Sequence, residues 1–353
     1  MRAAVYRGGR NLIPEDLPIP AILAGELLVR VRACGVCGTD LKKIEYGLVA
    51  PPRVFGHETA GEIVQIGEGV TDWAVGDRVA LNHHVPCERS DCFYCVRGEY
   101  AQCPLYKKTG ATAGFEPAGG GFAQYVRVLD WCAIRGTVRI PDEIGFDEAV
   151  FIEPLNTCLT GIRHAGVRLQ DTVLVIGQGP IGLLFTMLAH NAGAAVVATD
   201  LSAQRRSEAL KRGACAVFDP AKAGALKELR NQIGALTAGR GADAAIVTVP
   251  NTKLVSEVFL AVRPAGKVLL FAQTRLNDPV EVDAGEICLQ EKALIGSYSS
   301  DITLQDEAAE LIFSRKIDVR GLVTHRFTLD SISEAIDFAK TPRENSLKIL
   351  VTP

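Results

Sequence analysis

Residues 173–184, VLVIGQGPIGLL, join an apolar run of strand length to a helical stretch through Gly177, Gly179 and Gly182, spaced G-x-G-x-x-G. A strand that turns this tightly into a helix commits the chain that follows to a crossover, and crossovers build parallel sheets. The downstream sequence agrees. AAVVATD, ADAAIVTV and GKVLLFA are further apolar runs, separated by PIGLLFTMLAHNAGA, SAQRRSEALKR and GALKELRNQIGALTA. Strands covered on both faces read as continuous apolar runs, so this region is expected to be a doubly wound parallel α/β sheet.

The glycines also mark a place where backbone can approach a pyrophosphate, whose charge suits a helix N-terminus. Gly177, Gly179, Pro180, Ile181 and Gly182 are therefore candidate dinucleotide contacts. The next strand ends on Asp200, 23 positions after Gly177, where a carboxylate can accept from an adenosine ribose. An acid there favours NAD over NADP. Arg205 and Arg206 follow, and a guanidinium can stack on adenine or pair with a phosphate. A Gly-rich turn without a ligand and a solvated Asp at a strand end are the alternatives.

At 353 residues the chain is long enough for two cores. Ahead of the α/β region, LLVRVRACG, AGEIVQIG, DRVAL and AQYVRV are short Val-rich runs punctuated by Gly and Pro, the texture of an antiparallel β domain, a barrel. Beyond ALIGSY, LQDEAAELIFSRKID and SISEAIDFAK lead to a final strand, LKILVTP. Roughly 55 residues make a small core, so this tail is expected to rejoin the first domain. The expected division is 1–155, 156–297 and 298–353. A net charge of −3 gives no pull towards a polyanion, so no nucleic-acid partner is expected. No apolar run spans a bilayer and the N-terminus lacks a secretory core, so a cytoplasmic protein without a membrane partner is expected.

Ten cysteines in a reducing compartment bind metal more readily than they form disulfides. In HHVPCERSDCFYCVRGEYAQC, Cys87, Cys92, Cys95 and Cys103 are spaced C-x4-C-x2-C-x7-C. Four thiolates close a tetrahedral zinc, the mark of a structural site. A redox pair of Cys92 and Cys95 would leave Cys87 and Cys103 unexplained. A second set comes earlier: CGVCGTD holds Cys34 and Cys37, GHE follows with His57 and Glu58, and FIEPLNTC adds Glu153. Cys, His and one or two carboxylates make the three-ligand set that leaves zinc open to water or substrate. Each residue alone has an ordinary structural reading, but their joint appearance beside a dinucleotide motif points to metal.

Taken together, MRAAVY, CGVCGTD, GHETAGEIVQIGEGV, GDRVA, the cysteine loop, GGGFAQYV, EPL, VIGQGPIG, TDLS and KILV resemble the zinc-containing medium-chain dehydrogenases, most of all the sorbitol (L-iditol) dehydrogenase-like polyol branch. The resemblance implies a GroES-like β-barrel catalytic domain, a Rossmann domain and a tail returning to the first. It implies Cys37, His57 and Glu58 as ligands of a catalytic zinc, with Glu153 beside it, directly or through water. Thr39 would hydrogen-bond the substrate oxygen, and Cys87, Cys92, Cys95 and Cys103 would hold the structural zinc. The implied reaction is hydride transfer between a secondary alcohol, a polyol or sugar derivative, and NAD, in a homotetramer or dimer. An L-threonine 3-dehydrogenase-like or general secondary-alcohol activity is the enzymatic alternative, and a non-catalytic dinucleotide-binding protein the remote one. A zinc-ribbon nucleic-acid module lacks a basic patch around the cysteines.

Three features depart from that family pattern. Cys87 lies two residues further upstream than usual, with Arg89 in the customary place. Lys42 stands where relatives carry a proton-relay His and Lys43 follows it, a pair that reads either as surface-facing or as a device favouring an anionic substrate. Ser299 and Ser300 replace an Arg and a Tyr that contact substrate hydroxyls in polyol dehydrogenases. Phe115 is a candidate pocket wall, or local packing.

Overall fold

In the computed structural model, which describes the chain apart from residues 10, 110–119, 275–276 and 342–345, the apolar runs form strands. Phe115 lies outside the described residues. Two units emerge, Met1–Asn156 with Ser300–Pro353, and Thr157–Ser299. In chain order the strands of the first are β1 (Arg2–Tyr6), β2 (Leu12–Asp16), β3 (Leu27–Gly35), β4 (Arg53–Val54), β5 (Glu58–Ile66), β6 (Arg78–Leu81), β7 (Tyr125–Val128) and β8 (Thr137–Arg139). The second unit contributes β9 (Thr172–Ile176), β10 (Ala195–Thr199), β11 (Ala214–Phe218), β12 (Ala242–Val247), β13 (Val262–Leu270) and β14 (Ala293–Gly296). Then β15 (Val323–Thr328) and β16 (Lys348–Thr352) return to the first.

The main sheet of the first unit runs β15-β16-β3-β5-β6-β8, with β7 also paired to β3. Alternation explains β3 at its centre. Val29 and Val31 point into the core while Arg30 and Arg32 reach solvent. β5 pairs antiparallel along the length of β3, and β16 antiparallel at its end, placing Leu350 opposite Gly35. One pair breaks the antiparallel expectation: β15 and β16 are parallel. The helix Ile332–Lys340 between them is the crossover that a parallel pair requires. Glu26, at the foot of β3, is buried with Arg127 of β7 donating to both carboxylate oxygens at 2.7 Å.

In the second unit six strands run parallel in the order β11-β10-β9-β12-β13-β14. This is the doubly wound arrangement expected from the sequence. The order reverses at β9, so the crevice for a ligand opens at the carboxyl end of that strand, where Gly177 sits. Among the described residues no helix is long and apolar enough to cross a membrane.

Burial works upward on the Glu26 carboxyl, but Arg127 and the N–H of Leu23 hold it below the usual carboxylate range. Its stabilisation is therefore present above the unfolded carboxylate pKa and lost as pH falls through the folded one. Arg127→Met strands a buried charge and is expected to cost about 3 kcal/mol, read as a lower urea midpoint. The double variant Glu26→Gln/Arg127→Met should recover part of that loss.

Candidate active site

After Gly35 the chain turns into α1 (Gly38–Tyr46), with Cys37 at its N-cap. His57 immediately precedes β5, whose first residue, Glu58, lies opposite Gly35 in the β3–β5 ladder. The end of one strand and the start of its antiparallel neighbour thus converge. One ligand atom each from Cys37, His57 and Glu58 lie within 4.8 Å of one another. One sulfur, one nitrogen and one oxygen donor within the reach of one cation suit zinc, with a fourth position left to another group.

Buried partners hold these side chains in place. Asp40, fully buried on α1, accepts the Cys37 backbone N–H at 3.2 Å and sets its other oxygen 3.3 Å from His57 Nδ1. One carboxylate therefore orients two ligands, and fixing Nδ1 directs Nε2 to a metal. Burial disfavours charge on His57, yet Asp40 and Cys37 raise its pKa well above the ordinary value. Glu58 is buried behind them and forms an ion pair with Lys348 of β16, whose Nζ also donates to the Val36 carbonyl at 3.3 Å. Only glycine fits at position 35. A Cβ there would stand 1.8 Å from Glu58 Oε2 and 2.7 Å from Lys348 Cε.

Glu153, at the start of the helix Ile152–Ala165, lies outside the ligand trio, its Oε1 3.6 Å from His84 Nδ1. Burial pushes its carboxyl up to about 7. Thr39 is half-buried on the first turn of α1, four positions before Lys43, so the two share a helix face. Lys43 is 9% exposed, and burial lowers its pKa although Asp40, Cys37 and Glu153 work upward on it, whereas Lys42 is half-buried. The surface-pair reading does not fit Lys43. Cys34 is not in the trio either: its sulfur packs 3.5 Å from Thr59 Oγ1, and burial pushes the thiol up to about 12.

Cys87, Cys92, Cys95 and Cys103 place their sulfurs within 4.8 Å of one another, and none is in a disulfide. The Cys87 backbone N–H donates to Cys103 Sγ at 3.4 Å, and Cys87 and Cys95 sulfurs lie 3.7 Å apart. Burial pushes the Cys103 thiol upward, but N–H groups of Tyr106 and Cys87 outweigh it and hold it at about 7. Four converging sulfurs fill a tetrahedron, so the longer first spacing still closes the cage. Arg89 is turned to solvent in an ion pair with Asp91.

In the second unit Gly177 has φ +87° and its N–H donates to the Thr199 carbonyl at 2.8 Å, tying the glycine turn to β10. Gly179 caps the helix Pro180–Asn191, with Pro180 at its first position and Ile181 next. A Cβ at position 182 would lie 1.9 Å from the Gly177 carbonyl oxygen, so the helix docks on the turn only as glycine. The first-turn N–H groups have no helical acceptor and suit a phosphate. Asp200 accepts from the N–H of Gln178 at 2.7 Å and of Ser202 at 2.8 Å, one on each oxygen, which leaves lone pairs for ribose hydroxyls. Arg206 is spent on the Asp200 carbonyl and on Asp219, while Arg205 Nη1 lies 3.9 Å from where a Gly179 Cβ would stand. An apolar cleft lined by Ile176, Thr199, Pro220, Leu226 and Leu254 opens beside these strand ends.

Asp40 and Lys348 lie within CGTD and KILV, but the sequence assigns them no role because their contacts are set by strand and helix pairing. An acidic residue three positions after Cys37, one helical turn on, was the available signal for Asp40.

Comparison with known proteins gives consistent results. A family model described as "Alcohol dehydrogenase GroES-like domain" matches residues 23–142, and one described as "Zinc-binding dehydrogenase" matches residues 180–314. Sorbitol dehydrogenase of Bacillus subtilis is 30% identical over 100% of this chain and 97% of its own. D-xylulose reductase A of Aspergillus oryzae is 32% identical over 95% of this chain and 92% of its own. The crystal structure of a zinc-binding dehydrogenase from Sinorhizobium meliloti bound to NADP is 29% identical, with a TM-score of 0.89, covering 100% of this chain and 99% of that one.

Replacing Cys87 by Ser should lower bound zinc from about two per chain to about one and weaken the loop, with the Cys37 site still loaded. Metal analysis with thermal melting checks both parts.

Proposed function

The chain belongs to the zinc-binding alcohol dehydrogenase family, and we propose that it oxidises a secondary alcohol, a polyol or sugar derivative, to the ketone with NAD, and runs the reverse reduction. The observation that carries this reading is the convergence of Cys37, His57 and Glu58 with buried counter-charges behind them. In this reading the first unit does the chemistry and the second binds the dinucleotide.

Zinc, when bound there, supplies Lewis acidity that lowers the pKa of an alcohol and polarises a ketone. The protein's own contributions follow from geometry. Asp40 keeps the imidazole of His57 in one orientation. Lys348 offsets the buried charge of Glu58, so a carboxylate can stand among the ligands without a solvent shell. Thr39, beside Cys37, offers a hydroxyl to the substrate oxygen and passes its proton towards solvent. Glu153 stands next to the trio as an oxygen ligand or the holder of a water. Cys87, Cys92, Cys95 and Cys103 take no part in the reaction. Gly177, Gly179, Pro180, Ile181 and Gly182 seat the pyrophosphate, Asp200 the ribose, and Arg205 covers the adenosine side. The Asp200 carboxylate supports NAD, since a 2'-phosphate would meet a like charge.

The relatives include sorbitol dehydrogenase and D-xylulose reductase, which supports a polyol over a simple alcohol or L-threonine. The intact ligand trio argues against a non-catalytic dinucleotide-binding role. A cytoplasmic homo-oligomer, a tetramer or a dimer, acting on small molecules without a nucleic-acid or membrane partner completes the proposal. In this reading Lys43, buried on the helix that carries Thr39, favours substrates carrying a negative group.

A turnover panel of neutral, phosphorylated and carboxylated polyols, L-threonine and simple secondary alcohols, with NAD and NADP side by side, tests the reading. Turnover of polyols with NAD is expected. Asp200→Ala should lower kcat/KM for NAD by about tenfold to a hundredfold and narrow the gap to NADP. Unchanged kcat/KM across neutral and anionic polyols in both Lys42→Ala and Lys43→Ala would remove the anion preference.

A further inference from the structure

Beside the ligand trio the first unit buries a second polar cluster that none of the roles above uses. His83 and His84 follow β6 and are 2% and 5% exposed. The backbone N–H of His84 donates to Asn82 Oδ1 at 2.8 Å, and its ring packs 5.3 Å from that of Tyr106. Tyr106 is fixed in turn, its hydroxyl donating to the Ser300 carbonyl at 2.7 Å. Asn82 donates to Gln305 Oε1 at 3.0 Å and to Ser300 Oγ at 3.2 Å, so Ser300, where the chain returns to this unit, is taken up by the network. These contacts hold the His84 ring edge-on to that of His57, with centroids 5.9 Å apart.

One atom of this rigid arrangement is left over. His84 Nδ1 is buried and has no hydrogen-bond partner among the described residues, standing 3.6 Å from Glu153 Oε1. Leaving such a group unfilled costs free energy, and the packing on both sides keeps the ring from turning elsewhere. The His84 ring adjoins that of His57, and so, on the dehydrogenase reading, the place where the reacting oxygen binds. The two oxygens of a vicinal diol lie about a hydrogen bond's length apart. A substrate oxygen at the ligand trio therefore brings its neighbour to Glu153 and His84.

We propose that His84 is a specificity-determining residue whose Nδ1, together with Glu153, binds the hydroxyl on the carbon next to the reacting carbinol, so that the protein selects vicinal diols over lone secondary alcohols. This rests on the dehydrogenase reading above. A site built to hydrogen-bond a hydroxyl discriminates strongly against an analogue without it, because its own polar group is then stranded.

The test compares the zinc-loaded full chain with His84→Phe and His84→Asn, using 2,3-butanediol and 2-butanol with NAD. Wild type should favour the diol in kcat/KM by about tenfold or more. In His84→Phe that ratio should fall towards unity, carried by KM for the diol and not by kcat, with zinc content retained. His84→Asn, which can still hydrogen-bond, should recover part of the ratio. A wild type without diol preference, or a His84→Phe variant that loses both substrates in parallel, overturns the proposal. Should the Phe variant fail to keep its zinc, His84→Leu takes its place. Calorimetric binding of the two alcohols to zinc-loaded protein without dinucleotide separates this idea from the activity it builds on. If wild type oxidises neither alcohol nor any polyol of the panel above, the dehydrogenase reading fails, while weaker diol binding in His84→Phe still supports the subsite and equal binding still overturns it.

Discussion

The ion pair of Glu58 with Lys348 is the interaction on which the rest of the first unit depends. Both side chains are buried, and desolvating two such charges costs several kcal/mol each unless geometry and further partners compensate. The compensation dictates backbone features far apart in the sequence. Position 35 must be glycine, because the pair passes where its side chain would be. The C-terminal strand must cross back to pair with β3, since no other described element supplies Lys348. The return of the chain to its first unit is thus part of how the candidate open site is built.

The same physics separates the two candidate metal sites. At Cys87, Cys92, Cys95 and Cys103 every donor is a sulfur from one loop, and a filled tetrahedron leaves nothing to react. At Cys37, His57 and Glu58 the donors differ, come from two neighbouring chain segments, and are each held by a buried partner. Holding ligands by the groups behind them lets the front stay open to a substrate. Asp40 shows this economy, since it fixes the backbone of one ligand and the ring of another.

Much of this was legible in the sequence because it is local. The glycine turn, its strand and its helix are contiguous, so Gly177, Gly182 and Asp200 could be placed from spacing alone, and the four cysteines lie within one loop. Resemblance to a family then gathered Cys37, His57 and Glu58 from separate motifs. What spacing could not show is contact set by pairing between distant segments. Lys348 looks like any strand-end lysine until β16 docks on β3, and His84 like a loop residue until Tyr106 and Ser300 close on it. The parallel β15–β16 pair was missed for the same reason, as period-2 patterning does not reveal strand direction. Lys43 misled in the opposite sense: a lysine pair on a short helix reads as surface, but one member faces the buried carboxylates.

The central claim is that one chain holds a closed sulfur cage and a chemically distinct open site. Zinc K-edge absorption on Cys87→Ser protein, in which the open site should dominate, tests this most directly. A first shell of one sulfur at about 2.3 Å with nitrogen and oxygen at about 2.0–2.2 Å is predicted. A shell made of sulfur alone would contradict the account.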